Sequence, residues 1–308
     1  MSQRVAVLMG GWSAEREVSL VSGRECANAL EHLGYQVARI DVTRDLTELV
    51  TALTPKPDII FNALHGRGGE DGTIQGVLET LGVPYTHSGV VASSIAMHKP
   101  LAKSIFAAAG LPLAESKVVS YAALTQGDVM QRPFVVKPIN EGSSVGVRVV
   151  RDGDNDWTDT FAGWYVEGDA LMVESYVPGR EITVAVMGDR ALGALEIRPT
   201  SATMYDYDAK YAPGGSDHLM PAPIHPDAYA AALDIGLKAH RALGCRGVSR
   251  SDLRYDDTAG EPGRLVLLEI NTQPGMTPTS LVPDIAKYNG ISFAELVRWM
   301  VENAACDS

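Results

Sequence analysis

Gly263-Arg264-Leu265-Val266-Leu267-Leu268-Glu269-Ile270-Asn271-Thr272-Gln273-Pro274-Gly275-Met276-Thr277-Pro278-Thr279-Ser280-Leu281 runs from an apolar stretch through a carboxylate and an amide into a Pro/Gly turn. Residues 265–268 read as a buried strand. On an extended chain Glu269 and Asn271 face the same way, so two oxygen donors converge at the strand end. Hard cations such as Mg²⁺ take carboxylate and amide oxygens and share them with substrate phosphates. A strand that merely closes on a polar pair before a turn has the same residues. The rest of the chain has to decide between the two.

The chain has 308 residues, enough for two domains or three small ones, and its 45% hydrophobic and 21% charged content is that of a globular protein. With 26 basic against 38 acidic side chains the net charge is −12. That balance excludes a phosphate-backbone binder, so no nucleic-acid partner is expected and small molecules are the natural ligands. Cys26, Cys245 and Cys306 are odd in number and lack zinc-site spacing; they read as reduced thiols. The first residues enter a short strand and a Gly-Gly turn without a signal-peptide core, and no apolar run approaches membrane-spanning length. The expected location is the cytoplasm, with no membrane partner.

Taken in order, residues 4–9 read as a strand, Ser13 as an N-cap, and Val18, Val21, Leu30 and Leu33 as one apolar helix face stopped by Gly34. Strands over 35–42 and 58–64, a short helix over 47–53, another over 73–81 and a last strand near 82–86 complete a βαβ pattern. It predicts a small parallel sheet whose ligands gather at the carboxyl ends of its strands. Two polar clusters sit at such ends: Gly10-Gly11-Trp12-Ser13-Ala14-Glu15-Arg16-Glu17 and His65-Gly66-Arg67-Gly68-Gly69-Glu70-Asp71-Gly72. Neither is a dinucleotide fingerprint or a Walker A loop. A helix opens at Met97-His98-Lys99-Pro100 and runs to 109.

Between 113 and 178 the pattern changes to short strands over 117–120, 134–137, 145–150 and 171–175, which predicts an antiparallel sheet. Lys137 ends one of these strands, and Asn140-Glu141-Gly142-Ser143-Ser144-Val145-Gly146 follows as a loop small enough for backbone N–H groups to approach phosphate oxygens. A solvated edge lysine remains the alternative there. A hairpin spans 182–187 and 191–197. The long polar loop 201–215 is of the kind that forms lids. A helix over 226–243, a strand over 247–255 and a terminal helix over 293–301 follow. Pairing of 247–255 with 265–270 would bring Asp252 beside Glu269.

Together these motifs resemble the D-alanine–D-alanine ligase family of the ATP-grasp superfamily, over essentially the whole chain. The resemblance is carried by Gly10-Gly11 with 13–19, His65 to Gly72, Lys137-Pro138 with 141–146, Tyr205-Asp206-Tyr207 with Ala209-Lys210-Tyr211, and Glu269 to Ser280. It implies a mixed α/β and α+β chain: an N-terminal parallel-sheet α/β domain (1–97), then an ATP-grasp fold of two antiparallel-sheet subdomains clasping ATP (98–178 and 179–308), with a lid loop over 200–217. The implied reaction is ATP-dependent joining of two D-alanines through a D-alanyl phosphate, for peptidoglycan precursor synthesis. A D-alanyl-D-lactate ligase and a non-catalytic ATP-grasp module that binds nucleotide or D-amino acid are the alternatives; Tyr211 speaks against the first, an intact Asp252, Glu269, Asn271 and Lys210 against the second.

The resemblance also assigns roles. Lys99 and Lys137 would meet the α- and β-phosphates and Lys210 the γ-phosphate. Glu174 and the backbone of Ser175 and Val177 would meet adenine, and Glu181 the ribose. Asp252, Glu269 and Asn271 would hold two Mg²⁺ (or Mn²⁺), with room for a monovalent cation. Arg250 and the Gly275 N–H would stabilise the oxyanion. Glu15 would bind the first D-alanine with His65 nearby, and Ser280 and Leu281 the second; Glu15, Ser143 and Tyr211 would form a hydrogen-bonded triad under the lid. A homodimer is implied by the family. His98, Ser175 and Gln273 depart from its commoner residues.

Overall fold

The computed structural model describes residues 3–142, 146–154, 157–158, 169–200 and 215–307. β1 (Arg4–Gly10), α1 (Arg16–His32), β2 (Gln36–Val42), α2 (Leu46–Ala52) and β3 (Ile59–Asn62) form a parallel sheet in the order β2-β1-β3, as the βαβ pattern requires. β1 is buried on both faces: Val5, Val7 and Met9 enter one core, Ala6 and Leu8 another. That is why its sequence is an unbroken apolar run. Helix α1 begins at Arg16 and has no Ser13 cap. The Ser13 hydroxyl instead donates to the His65 carbonyl (2.6 Å) and accepts the Glu15 N–H (3.1 Å), tying the two polar clusters together. The strand predicted near 82–86 is reduced to Tyr85, which bridges Ile60 on one side and Ala305 on the other.

α3 (Thr73–Leu81), α4 (Val90–Met97) and α5 (Lys99–Ala108) follow. α4 escapes the sequence pattern because it has no charged face; its first N–H, from Val90, is capped by the Asp307 carboxylate at 2.8 Å. α5 carries Pro100 in its first turn, where the missing N–H costs nothing. Its apolar residues Ala102 and Phe106 pack into the core of the C-terminal sheet, while Lys99 and Lys103 lie on another face.

β4 (Ser116–Ser120), α6 (Tyr121–Thr125), β5 (Phe134–Pro138), β6 (Arg148–Val150) and β7 (Ala170–Ser175) build the central antiparallel sheet, in the order β4-β7-β5-β6. β8 (Arg180–Met187), β9 (Arg190–Pro199), β10 (Ser216–Leu219), α7 (Pro226–Ala242), β11 (Val248–Asp256) and β12 (Arg264–Asn271) give the C-terminal sheet, ordered β10-β9-β8-β11-β12. Ser216 and Asp217, predicted within the lid loop, belong to β10 and pair with Arg198 and Pro199. α8 (Leu281–Tyr288) is hidden in the sequence by Pro283, which reads as a breaker but falls in the helix's first turn. α9 (Phe293–Glu302) starts on a Ser292–Glu295 capping box.

One core joins the two ends of the chain: Val5, Val7 and Phe61 of the parallel sheet pack with Leu195 and Val248 of the C-terminal sheet and with Val282, Val297 and Val301 of α8 and α9. At its edge His87 is 2% exposed, stacks edge-on against Phe61 and sits at φ +70°. Burial, with His65 and Arg246 adding, holds its pKa down to about 3; burial and Arg241 hold His240 down to about 4. Both are neutral when folded, and in an unfolded chain they protonate near 6.5. The unfolded state therefore binds more protons as pH falls below 6.5, and stability drops by up to about 1.4 kcal/mol per pH unit for each histidine. We expect the urea midpoint to fall between pH 7 and pH 5, and to fall less in His87→Asn, where asparagine tolerates the left-handed backbone.

Candidate active site

The register of β11 against β12 sets the site. Arg250 lies opposite Asn271 and Asp252 opposite Glu269, with a bulge after Asp252. Side chains alternate along a strand, so all four share one face of the sheet. On β8, Thr183 pairs with Asp252 in register and its hydroxyl donates to Asp252 Oδ1 at 2.7 Å. Arg250 grips the same carboxylate with two parallel bonds, Nε to Oδ1 at 2.9 Å and Nη2 to Oδ2 at 2.7 Å. Such a fork fixes the plane of both groups.

After Asn271 the chain turns towards the parallel sheet and is pinned there. Asn271 Oδ1 accepts the Gln273 N–H at 2.7 Å. The Gln273 side chain, 1% exposed, accepts from Asn62 Nδ2 (2.8 Å) and donates to the Leu64 carbonyl. The Met276 N–H donates to Ser22 Oγ at 3.2 Å. Ser22 Oγ lies 3.0 Å from His65 Nε2, and His65 Nδ1 lies 3.0 Å from Glu70 Oε1. A His65 proton on Nδ1 satisfies every member of this chain. Burial, reinforced by the Glu15 carboxylate, holds the Glu70 carboxyl above the usual range despite His65. Gly275 has no room for a side chain: a β-carbon there would stand 2.9 Å from Ser280 Oγ, which accepts the Thr277 N–H at 2.9 Å.

A single cleft opens between these walls. Glu15, His65, Lys99 and Arg250 border it, together with Glu269, Asn271, Gly275, Ser280 and Leu281. The Glu15 carboxylate lies close to two glycines: a β-carbon on Gly66 would lie 2.8 Å from its Oε2, and one on Gly142 3.4 Å. Lys99 Nζ donates to the Glu141 carbonyl and stands 3.9 Å from Glu269 Oε2.

Among the described residues Lys137, Glu174, Ser175, Val177, Glu181 and Asp252 lie outside that wall. Glu174 is 2% exposed, with Lys137 Nζ 2.8 Å from Oε1 and Lys103 Nζ on Oε2. Burial would raise this carboxyl, but Lys137 and Lys103 outweigh it and hold it below the usual range. Burial likewise would lower Lys137; Glu174, with Glu269 and Glu181 farther off, raises it instead. The Ser175 N–H donates to the Glu115 carbonyl (2.9 Å), and the Val177 carbonyl accepts from Arg254 Nε (3.1 Å). Arg254 also stands 3.9 Å from Glu181. Ser143, Lys210 and Tyr211 lie outside the described residues. Lys103 and the Gln273 clamp are absent from the sequence reading. For Lys103 the signal is its place four residues after Lys99, on the same helical face.

No cluster of three or more His, Cys, Asp or Glu side chains among the described residues is placed to hold a metal ion unaided. The donors of Asp252, Glu269 and Asn271 are nevertheless all hard oxygens, on neighbouring registers of one sheet face. Mg²⁺ characteristically uses one or two carboxylates and completes its shell with phosphate and water, so the set fits a metal that arrives with its substrate.

A parallel-sheet domain and two antiparallel sheets, with Lys99, Arg250, carboxylates and a backbone-rich turn around one cleft, are the arrangement of the ATP-grasp class that the motifs resemble. The sequence pattern described as "D-ala D-ala ligase C-terminus" matches residues 105–302, and that of the "D-ala D-ala ligase N-terminus" matches 47–88. The chain is 60% identical over 309 residues to a D-alanine–D-alanine ligase of Paramagnetospirillum magneticum, covering 100% of both chains. It is 59% identical to that of Granulibacter bethesdensis, covering 99% of this chain and 98% of the relative. The crystal structure of the Bacillus anthracis D-alanine–D-alanine ligase complexed with ATP superposes with a TM-score of 0.80 at 28% identity, covering 98% of this chain and 97% of the other. The chain belongs to the D-alanine–D-alanine ligase family.

The Gln273 clamp is open to a direct measurement. Gln273→Leu keeps the volume but strands the Leu64 carbonyl and one Asn62 donor, and a buried unpaired polar group costs roughly 1–3 kcal/mol. We expect a loss of about 2 kcal/mol in urea unfolding, with reduced turnover because the Gly275 turn loses its anchor.

Proposed function

We propose that the chain joins two D-alanines into D-alanyl-D-alanine with conversion of ATP to ADP and phosphate, supplying peptidoglycan precursor synthesis. The observation that carries this reading is the convergence of Glu15, Lys99, Arg250, Glu269, Asn271, Gly275 and Ser280 on one cleft. Its parts match the demands of an acyl phosphate route: an acceptor for an ammonium, cations for phosphates, and donors for an oxyanion.

Glu15, close to Gly66 and Gly142, takes the ammonium of the first D-alanine, with His65 beside it. Lys99 and Lys137 hold the α- and β-phosphates, and Lys210 the γ-phosphate, while the first carboxylate attacks the γ-phosphorus and ADP departs. Arg250, already oriented by Asp252, and the Gly275 N–H then receive the negative charge on the carbonyl oxygen as the second amine attacks and phosphate leaves. Ser280 and Leu281 position the carboxylate of that second D-alanine. Glu174, with the backbone of Ser175 and Val177, meets adenine, and Glu181 the ribose. Glu15, Ser143 and Tyr211 link the lid to the substrates and keep water from the acyl phosphate. Asp252, Glu269 and Asn271 would hold Mg²⁺ (or Mn²⁺), which neutralises charge on the phosphates when bound. The working unit in this reading is a cytoplasmic homodimer.

Phosphate release from ATP should require D-alanine, yield D-alanyl-D-alanine, and be absent with L-alanine. Release that is independent of D-alanine overturns the reading, and a D-lactate-dependent ester product turns it towards a depsipeptide ligase.

Two substitutions probe its parts. Glu269→Gln keeps shape but removes charge 3.9 Å from Lys99; turnover should fall by about a hundredfold or more with an unchanged melting temperature. Tyr211→Phe should leave ATP binding nearly intact while lowering kcat, as seen by comparing equilibrium nucleotide titration with steady-state rates.

A further inference from the structure

Glu174 is the most enclosed carboxylate of the nucleotide side, and it carries two lysines rather than one. They reach it differently. Lys137 is on β5, diagonal to Glu174 across the β5–β7 ladder, where Val135 is the direct partner of Glu174. Lys103 comes from α5, outside the sheet, and its ammonium also donates to the Ala114 carbonyl at 2.9 Å. Its side chain is 8% exposed. Lys103 is therefore tied at two points, to a backbone group and to the carboxylate. Lys137 is the lysine that the ligase reading sends to phosphate.

We infer that Lys103 is a positioning residue of the nucleotide pocket: it keeps Glu174 neutralised and fixed, and so leaves Lys137 able to move its charge from Glu174 to the phosphates of ATP. This rests on the proposed function and deepens it. The argument is one of charge conservation in a dry place. Taking the only counter-ion from a buried carboxylate leaves an uncompensated charge, which is far more costly than exchanging partners. With Lys103 in place the departure of Lys137 lowers Glu174 from two cations to one, never to none. Without Lys103, ATP must compete for Lys137 against a carboxylate that has no other cationic partner among the described residues.

A lysine that only glued α5 to β7 would affect stability and leave the nucleotide alone, so the test is a double-mutant cycle on nucleotide binding. A non-hydrolysable ATP analogue with Mg²⁺ is titrated calorimetrically, without D-alanine, into wild type, Lys103→Met, Glu174→Gln and the double variant. We expect Lys103→Met to weaken the analogue by about 10- to 100-fold when Glu174 is present. In the Glu174→Gln background, where no carboxylate needs neutralising, the same change should cost less than about threefold. The KM for ATP should rise in step and the KM for D-alanine should not. An unchanged affinity in Lys103→Met, or an equal penalty in both backgrounds, overturns the inference. Should Lys103→Met fail to fold, Lys103→Gln takes its place in the same cycle and is read by the same two outcomes. Phosphate release with D-alanine is measured in parallel on wild type. Loss of that activity with analogue binding intact sinks the ligase reading and leaves the lysine result standing.

Discussion

Antiparallel pairing of β11 with β12 in one register is the constraint from which the site follows. Opposing Asp252 to Glu269 puts Arg250 opposite Asn271, and with a side-chain period of two the four polar groups have no choice but to share a face. A slip of one residue would turn them into the core and bring Leu253 to the cleft. The buried partners Leu253, Leu267 and Ile270 forbid that slip, because they fill the core beneath with Phe106 and Tyr255. The apolar side of the ladder thus specifies the geometry of its polar side.

The charges so gathered are already partnered with one another. Arg250 is forked to Asp252, Lys99 is held by the Glu141 carbonyl near Glu269, and Glu174 sits between Lys103 and Lys137. Left unpaired, these groups would be isolated charges in a poorly hydrated place. Mutual pairing keeps the side chains ordered, and in the proposed function a nucleotide exchanges partners within that network. That is a smaller reorganisation than the assembly of a site from solvated groups.

Much of this was legible in the sequence where periodicity and chemistry coincide. The run ending in Glu269 and Asn271 and the polar clusters at strand ends declared themselves through a period-two face and glycine turns, and β1 through its unbroken apolar run. Tertiary facts did not. α4 has no polar face to betray it, α8 is masked by Pro283, and Ser13 spends its hydroxyl on His65 instead of a helix end. Lys103 and Gln273 gain meaning only from partners 71 and 211 residues away, a distance no local pattern spans. The apolar stripe of α5, Ala102 and Phe106, packs into the core of the C-terminal sheet, a contact that no local pattern declares.

The core that joins the first strand to the last helices has a consequence for how the chain comes to be folded. Val5, Val7 and Phe61 share a core with Val282, Val297 and Val301, residues made long after them. A nascent parallel sheet therefore leaves the ribosome with one apolar face covered only in part, by α1, and α5 likewise waits for α7 and β12. Long-range closure of this kind is slow and exposes sticky surface while it waits. The molecule's vulnerable period is thus its own translation, and shielding by a chaperone would matter most for a sheet whose sequence is finished long before its cover is.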